Sequence, residues 1–240
     1  MGKMKITVAT VCYNAEHCIE ESILSVINQT YDNIEYIIID GNSSDGTKSI
    51  LEKYKRYISK IVSEKDEGIY DAMNKALNLS TGDYLIFLGA DDHFISFKTL
   101  ERIIDKLCDS NKVYYGNVYM EGTNKIYKGR FSKYTRAYFN YCHQGVFYPK
   151  LAYKKYFYDL KYKVSSDNDY NLRLTKEFTF EYLDDTISFF STSGTSAMKS
   201  LKEVDYNWYK DKSNKIRTYL GFFPWLYFCF RNLLHKFNII

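Results

Sequence analysis

Apolar and polar positions along the first half of the chain fall into alternating runs of two periods. "KITVATVCY" is a β-branched run of buried-strand length, and in "CIEESILSVINQ" the apolar residues Ile19, Ile23, Val26 and Ile27 share one helical face. "IEYIIID" reads as a second strand. "GNSSDGT" is a loop of turn formers, followed by the helix "KSILEKYKRYI". "KIVSEKD" is a short third strand, "YDAMNKALNLS" a helix closed by Gly82, "DYLIFLGA" a fourth strand and "FKTLERIIDKLC" another amphipathic helix. Continuously apolar strands alternating with helices predict an α/β fold, Rossmann-like, with a mostly parallel sheet flanked by helices.

After about Lys112 the rhythm changes. "VYYGNVYMEG" and "KIYKGRF" predict a hairpin around Gly122-Thr123-Asn124. "PKLAYKKYF" and "DNDYNLRLTKEF" read as helical, and "FTFEYLDDTISFF" as strand. No repeat or low-complexity linker intervenes, so residues 1–112 and 113–197 are expected to be two halves of one domain sharing one sheet. Residues 198–240 are expected to form a C-terminal helical extension, polar from Met198 and then apolar.

Composition narrows the classes. An apolar fraction of 45% with 18% aromatics argues for a folded chain and against a disordered one. A net charge of +4 in 240 residues gives no reason to expect a nucleic-acid partner. The five cysteines form no C-x-x-C pair, which argues against a zinc or redox site and for free thiols in a reducing compartment. "MGKMKITVATVCYN" lacks the pattern of a signal peptide, and Ile6 stands where a myristoylation motif wants Ser or Thr. The expected location is the cytoplasm.

In a parallel α/β sheet, ligands sit at the carboxyl ends of the strands. Tyr13-Asn14 follows the first strand, Asp40 the second, Asp66 the third, and Asp91 with Asp92 the fourth. Any one of these acids could simply cap the next helix, and Asp45 in "SSDGT" reads as such a cap or turn residue. As a set they favour a shared site. "TVCYNAEH" contains no glycine, so neither a G-x-G-x-x-G dinucleotide loop nor a P-loop is present. A nucleotide held without a glycine cradle needs its phosphates neutralised otherwise. A divalent cation, Mg or Mn, on hard carboxylate oxygens does this and relieves the repulsion between Asp91 and Asp92.

"TVCYN", "IIIDGNSSDGT", "EGIYDAMNKAL" and "FLGADD", in this order and spacing, resemble the family-2 glycosyltransferases of the GT-A fold. "DEGIYDAMNK" is similar to the bacterial branch that builds polysaccharides and lipid-linked oligosaccharides. The resemblance is dense over the first half and extends with gaps to about residue 175. It implies that Thr10 and Tyr13 line the nucleobase pocket, that Asp40 bonds the base or ribose, and that Asp66, Gly68 and Asn74 continue the nucleotide wall. Asp91 would be the metal ligand. Gly89 stands where the family's "DxDD" pattern has its first acid. Asp92 either assists or caps the following helix.

In "SSDNDYNLRL", which resembles the family's "xDYDLxLRL" block, Asp167 falls on the catalytic base and Arg173 on the family arginine, with Asp169 as the competing base. Two positions apart on a helix, Asp167 and Asp169 cannot share a face. "CHQGVFY" resembles an "HQxxF" segment, which would bring His143 and Gln144 to the acceptor or the diphosphate; a structural role for His143 stands beside that reading. The family implies an inverting, single displacement from a nucleotide-diphosphate sugar, most simply a UDP-sugar, to a hydroxyl of a saccharide or lipid-linked saccharide in cell-surface polysaccharide synthesis. Two alternatives stay open: a sugar nucleotidyltransferase, and a non-catalytic relative that binds a nucleotide-sugar.

"LGFFPWLYFCF" runs eleven residues without a charge and is followed by Arg231, His235 and Lys236. A bilayer span takes about twenty apolar residues. The tail therefore either lies on a membrane surface, placing the protein peripherally on the inner face of the cytoplasmic membrane, or packs on the core or a second subunit.

Overall fold

The computed structural model of the chain describes residues 2–127, 129–191 and 205–236. The first half runs β1 (Ile6–Cys12), α1 (Ile19–Ile27), β2 (Ile34–Asp40), α2 (Thr47–Tyr54), β3 (Lys60–Ser63), α3 (Ile69–Leu79), β4 (Tyr84–Gly89), β5 (His93–Phe94) and α4 (Thr99–Ile103). The second half continues β6 (Lys112–Met120), β7 (Lys125–Tyr127), α5 (Lys133–Arg136), β8 (Val146–Pro149), α6 (Lys150–Tyr153), α7 (Ser166–Leu174) and β9 (Thr179–Phe190). Two helices follow, α8 (Tyr206–Leu220) and α9 (Phe222–Lys236). The expected boundary at 197/198 and the polar stretch from Met198 to Leu201 lie outside the described residues.

Among the described residues, nine strands form one sheet, ordered β3-β2-β1-β4-β8-β6-β9-β5, with β7 paired to β6. The two halves thus share a sheet, as their sequence predicts. β1 to β4 are mutually parallel. The second half is mixed, because β8 runs antiparallel to both β4 and β6 while β6 and β9 are parallel. Strand order reverses between β1 and β4, and the crevice at such a switch point is where an open α/β sheet binds ligands.

Period-two alternation divides the core. Ile6, Val8, Ile38, Ile86 and Leu88 pack against α1, α2 and α4 through Ile19, Ile23, Leu51 and Ile103. Ala9, Ile37, Ile39, Leu85 and Phe87 face the other way, toward Met73 and Leu77 of α3 and Leu174 of α7. Tyrosine fills much of this second layer. Tyr158 stacks between Tyr70 at 5.4 Å and Tyr170 at 4.5 Å, tying α3 to α7.

Several predicted helices are shorter than their apolar pattern. "FKTLERIIDKLC" is α-helical only to Ile103 and ends in a 3-10 turn through Lys106, and "PKLAYKKYF" forms a single turn. The hairpin is present, with Asn124 in the left-handed conformation at φ 49° closing its turn. The tail is anchored by a cluster of its own, in which Trp208, Ile216, Leu220 and Phe228 pack against Ala137, Tyr162 and Leu172.

Candidate active site at the carboxyl edge of the sheet

Polar groups gather where β1, β2 and β4 end. Tyr13 leaves the end of β1 with 63% of its surface exposed. Its ring and the Asp66 carboxylate approach Gly41 so closely that a Cβ there would lie 3.3 Å from the ring and 2.6 Å from Asp66 Oδ2. Gly41 is therefore required by this close approach, and the result is an exposed aromatic face beside a half-buried carboxylate. Asp66 Oδ1 accepts the Gly68 N–H at 2.9 Å, and Gly68 starts α3 at φ 122°, a conformation that glycine adopts without steric cost.

Three expected wall residues are turned inward instead. Thr10 is fully buried and its hydroxyl lies 3.1 Å from that of Tyr36, so it supports the floor from beneath. Asp40 is also fully buried. Its oxygens accept from the Ser43 amide at 3.1 Å, the Ser43 hydroxyl and the Ser63 hydroxyl, which fixes the β2–α2 loop and uses up the carboxylate. The Asn74 amide is spent on the Tyr158 backbone, donating to its carbonyl at 2.9 Å and accepting its N–H at 2.8 Å. Asp45 is a turn residue, accepting the Thr47 N–H at 3.0 Å and that of Glu16 at 3.1 Å.

At the end of β4 the two adjacent acids divide the work. Asp92 is not a helix cap; it is buried and bonded on both oxygens, Oδ2 to the Gly89 N–H at 2.9 Å and Gln144 Nε2 at 2.8 Å, Oδ1 to the Ser191 N–H at 3.2 Å. It locks β4 to the start of β8 and the end of β9. Burial, and then the neighbouring Asp91 charge, push its carboxyl up to about 6. Asp91 is half-buried and accepts no hydrogen bond from the side chain or backbone of any other described residue. Burial raises its carboxyl, Glu121 of the β6–β7 turn adds to the rise and His143 opposes it. A Cβ on Gly89 would sit 2.5 Å from Asp92 Oδ2 and 3.0 Å from Asp91 Oδ1, so this turn leaves no room for a first acid.

Among the described residues no group of three or more His, Cys, Asp or Glu is arranged to hold a metal ion. One under-coordinated carboxylate fits a cation shared with substrate phosphates, the usual mode for Mg, better than a preformed cage.

α7 carries Asp167 in its first turn. Its Oδ2 accepts Asn140 Nδ2 at 2.7 Å and lies 3.7 Å from His143 Nδ1. Its Oδ1 accepts the Asn168 N–H at 2.8 Å and shares the Tyr70 hydroxyl proton, at 3.1 Å, with the Val164 carbonyl. Asp169 points the opposite way. Fully buried, it pairs with Arg173 Nε at 2.8 Å and with Lys215 of α8, while Arg173 also donates to the Phe157 carbonyl at 2.5 Å. Asp169 and Arg173 are thus a structural ion pair that seats the tail. His143 Nδ1 lies 3.7 Å from Asp167 and its charge acts on Asp91, while Gln144 bonds Asp92 and its Oε1 accepts the Cys142 thiol at 2.9 Å.

Tyr70, Asn140 and Asn171 belong to this network and were not singled out from sequence. Asn171, one turn beyond Asp167, donates to Asn140 Oδ1 at 3.0 Å and accepts from the Tyr148 hydroxyl at 2.9 Å. Its spacing of four from Asp167 is a usable signal; Asn140 lies in an unpatterned loop and has none.

The profile described as Glycosyl transferase family 2 matches residues 7–183. The chain belongs to this family. Within it, a Mycobacterium bovis protein named as a PGL/p-HBAD biosynthesis glycosyltransferase is 35% identical over 157 residues, covering 62% of this chain and 61% of that one. An Escherichia coli relative, the UDP-Glc:alpha-D-GlcNAc-diphosphoundecaprenol beta-1,3-glucosyltransferase WfgD, is 35% identical over 127 residues, with 52% and 50% covered. The match therefore spans between half and about three fifths of these relatives' length. Among solved structures, Staphylococcus aureus TarS 1–349 in complex with UDP-GlcNAc superposes with a TM-score of 0.69 at 18% identity, over 90% of this chain and 66% of TarS. The mannosyltransferase PcManGT from Pyrobaculum calidifontis, in complex with GDP-Man and Mn2+, gives 0.64 at 18% identity, over 79% and 57%. At such identities the likeness concerns the fold, which is GT-A.

Proposed function

We propose that this family-2 chain is an inverting glycosyltransferase that moves a sugar from a UDP-sugar to a hydroxyl of a saccharide or lipid-linked saccharide in cell-surface polysaccharide synthesis. The observation that carries the reading is the Asp167 carboxylate, held by Tyr70 and Asn140 with His143 Nδ1 3.7 Å away, the same His143 whose charge acts on Asp91.

Tyr13 supplies a stacking face for the base, and Asp66 an acceptor beside it. That pairing suits a base with an imide N–H, which uracil has and cytosine lacks. The UDP-GlcNAc bound to TarS and the UDP-Glc in the name of WfgD support the same donor. A divalent cation, Mn or Mg, would supply charge neutralisation for the diphosphate, held through Asp91. His143, close to Asp91 and Asp167, is placed to contact the diphosphate or the incoming hydroxyl.

Asp167 takes the proton of the acceptor hydroxyl as its oxygen bonds to the anomeric carbon, while the bond from that carbon to the diphosphate oxygen breaks on the opposite face. Asp167 Oδ1 already accepts from Asn168 and Tyr70, whereas Oδ2 accepts a hydrogen bond from Asn140 alone; a carboxylate oxygen has two lone-pair sites, so a position remains on Oδ2 for the acceptor hydroxyl. The single displacement uses one base; the pairing of Asp169 with two cations supports Asp167 in that role.

The expected place of action is the inner face of the cytoplasmic membrane; the diphosphoundecaprenol in the WfgD name supports a lipid-linked acceptor. The test is transfer from labelled UDP-glucose and UDP-GlcNAc to a lipid-diphosphate-linked saccharide. The wild type should transfer one of them and Asp167→Asn should not, while still binding UDP; turnover by Asp167→Asn at the wild-type rate would refute the assignment.

A further inference from the structure

α9 carries apolar residues around its whole circumference. One side is spent on the protein: Phe228 is buried, Trp225 Nε1 donates to Ser213 at 2.9 Å, and the Phe228 carbonyl accepts the Tyr138 hydroxyl at 2.6 Å. The other side is open to solvent. Phe222, Phe223, Leu226, Phe230 and Leu233 are all exposed, Phe223 to 66% and Phe230 to 55%. Positions 222, 226, 230 and 233 repeat at the helical period and form one continuous stripe. A stripe of this kind on a solvated surface marks an interaction site.

Charge identifies the partner. Residues 206–236 contain Lys210, Lys212, Lys215, Arg217, Arg231 and Lys236 against the single acid Asp211. Without them the chain's 33 basic and 29 acidic residues fall to 27 and 28, a net −1; Lys215 is spent on the buried Asp169, and the other basic residues still leave this arm positive. Arg217 lies over the Trp225 ring at 5.1 Å and Arg231 over Tyr138 at 4.8 Å, which holds cations beside the apolar helix. An exposed apolar stripe on a helix whose flank against the protein carries Arg217 and Arg231 suits a helix lying in the plane of an anionic membrane. No described helix is long and apolar enough to cross one.

We infer that the outer face of α9 docks on an anionic lipid surface and presents the acceptor side of the crevice to that surface. Continuity in the chain supports the second half. Tyr138 bonds α9, and two residues later Asn140 bonds Asp167. On the other flank, Asp205 at the root of α8 accepts the Val164 N–H at 3.1 Å and that of Ser165 at 3.3 Å, immediately before α7. A lipid-linked acceptor lying in the same membrane would reach Asp167 from this side. That use of the docking rests on the glycosyltransfer reading, whereas the docking itself does not.

The experiment is flotation of the full chain with vesicles of phosphatidylcholine containing about a third phosphatidylglycerol, against vesicles of phosphatidylcholine alone. The full chain should float with the mixed vesicles, less so at high salt, and far less with the neutral ones. The combined variant Phe223→Ser, Leu226→Ser and Phe230→Ser should lose about tenfold or more in vesicle partition with its thermal midpoint unchanged. Arg217→Gln with Arg231→Gln should weaken the preference for the anionic vesicles several-fold while the neutral baseline stays put. Absence of flotation by the wild type, or equal flotation by the apolar variant, overturns the inference. So does light scattering that shows a wild-type dimer which the apolar variant converts to a monomer, because the stripe would then belong to a second copy. UDP binding is measured on the same samples, so vesicle binding without UDP binding would leave the docking standing and remove the transfer reading.

Discussion

Asn140 bridges two residues of one helix: its amide nitrogen donates to Asp167 at 2.7 Å and its oxygen accepts from Asn171 at 3.0 Å. Asp167 and Asn171 are one turn apart, so a single loop side chain fixes the rotamer of the carboxylate against the helix that carries it. Asn140 is thereby a positioning residue for Asp167. Asn140→Ala should lower kcat by about 10- to 100-fold with little change in donor KM, the pattern expected when a base is misplaced and not removed. Asp167→Asn should cost more, about 100- to 10,000-fold. Steady-state kinetics of the two variants would separate them; an Asn140→Ala enzyme with wild-type kcat would show that the bridge is ornamental to catalysis.

Asp169 lies two residues from Asp167 and is predicted to behave differently. Asp169→Asn leaves Arg173 and Lys215 facing each other without their buried counter-charge. Removing one partner of a buried ion pair costs about 3–5 kcal/mol. Denaturant unfolding should register that loss, while transfer per folded molecule stays within a few-fold of the wild type.

Restoring the acid that the family pattern has at position 89 should do harm. Gly89→Asp places a Cβ within 2.5 Å of Asp92 Oδ2, and the turn must open to admit it. The expected cost is about 1–3 kcal/mol of stability, with weaker and not tighter binding of UDP in the presence of Mn. Tighter binding would mean that Gly89 is a lost ligand position and not a packing requirement.

Asp92 gives stability a pH dependence of definite sign. Its carboxyl moves from an ordinary 3.8 up to about 6 on folding, through burial and the charge of Asp91. Between these values the folded protein binds the extra proton, so this group's contribution to stability is full below about pH 4 and is lost as pH rises through about 6. The full contribution is on the order of 2–3 kcal/mol. Unfolding of the wild type and of Asp92→Asn, compared across that range, should show the difference moving in the variant's favour as pH rises. A constant difference would remove Asp92 as the cause.

The parallel half was legible because β1, β2 and β4 are apolar on both faces and end at polar residues. The same rule brought Tyr13, Asp66 and Asp91 to one edge. It could not tell which acids would remain available, because that depends on partners remote in sequence. Asp40 is consumed by Ser43 and Ser63, Asp92 by Gln144 and Ser191, and Asp169 by Lys215, forty-six residues away. Thr10 was misplaced for a simpler reason: strand alternation sends it into the core, and its hydroxyl finds Tyr36 there. The short helices α4 and α6 reflect tertiary context, since an apolar pattern specifies a face to bury and not how many turns will be built.

Calorimetric titration of UDP into the full chain, with Mn and then with a chelator, most directly tests whether the edge formed by Tyr13, Asp66 and Asp91 is a nucleotide-diphosphate site. Binding should be about tenfold or more tighter with Mn, and Asp91→Asn should abolish that gain. A well-folded sample that binds UDP under neither condition, or equally under both with Asp91→Asn unchanged, would contradict the account and leave the exposed edge without its assigned ligand.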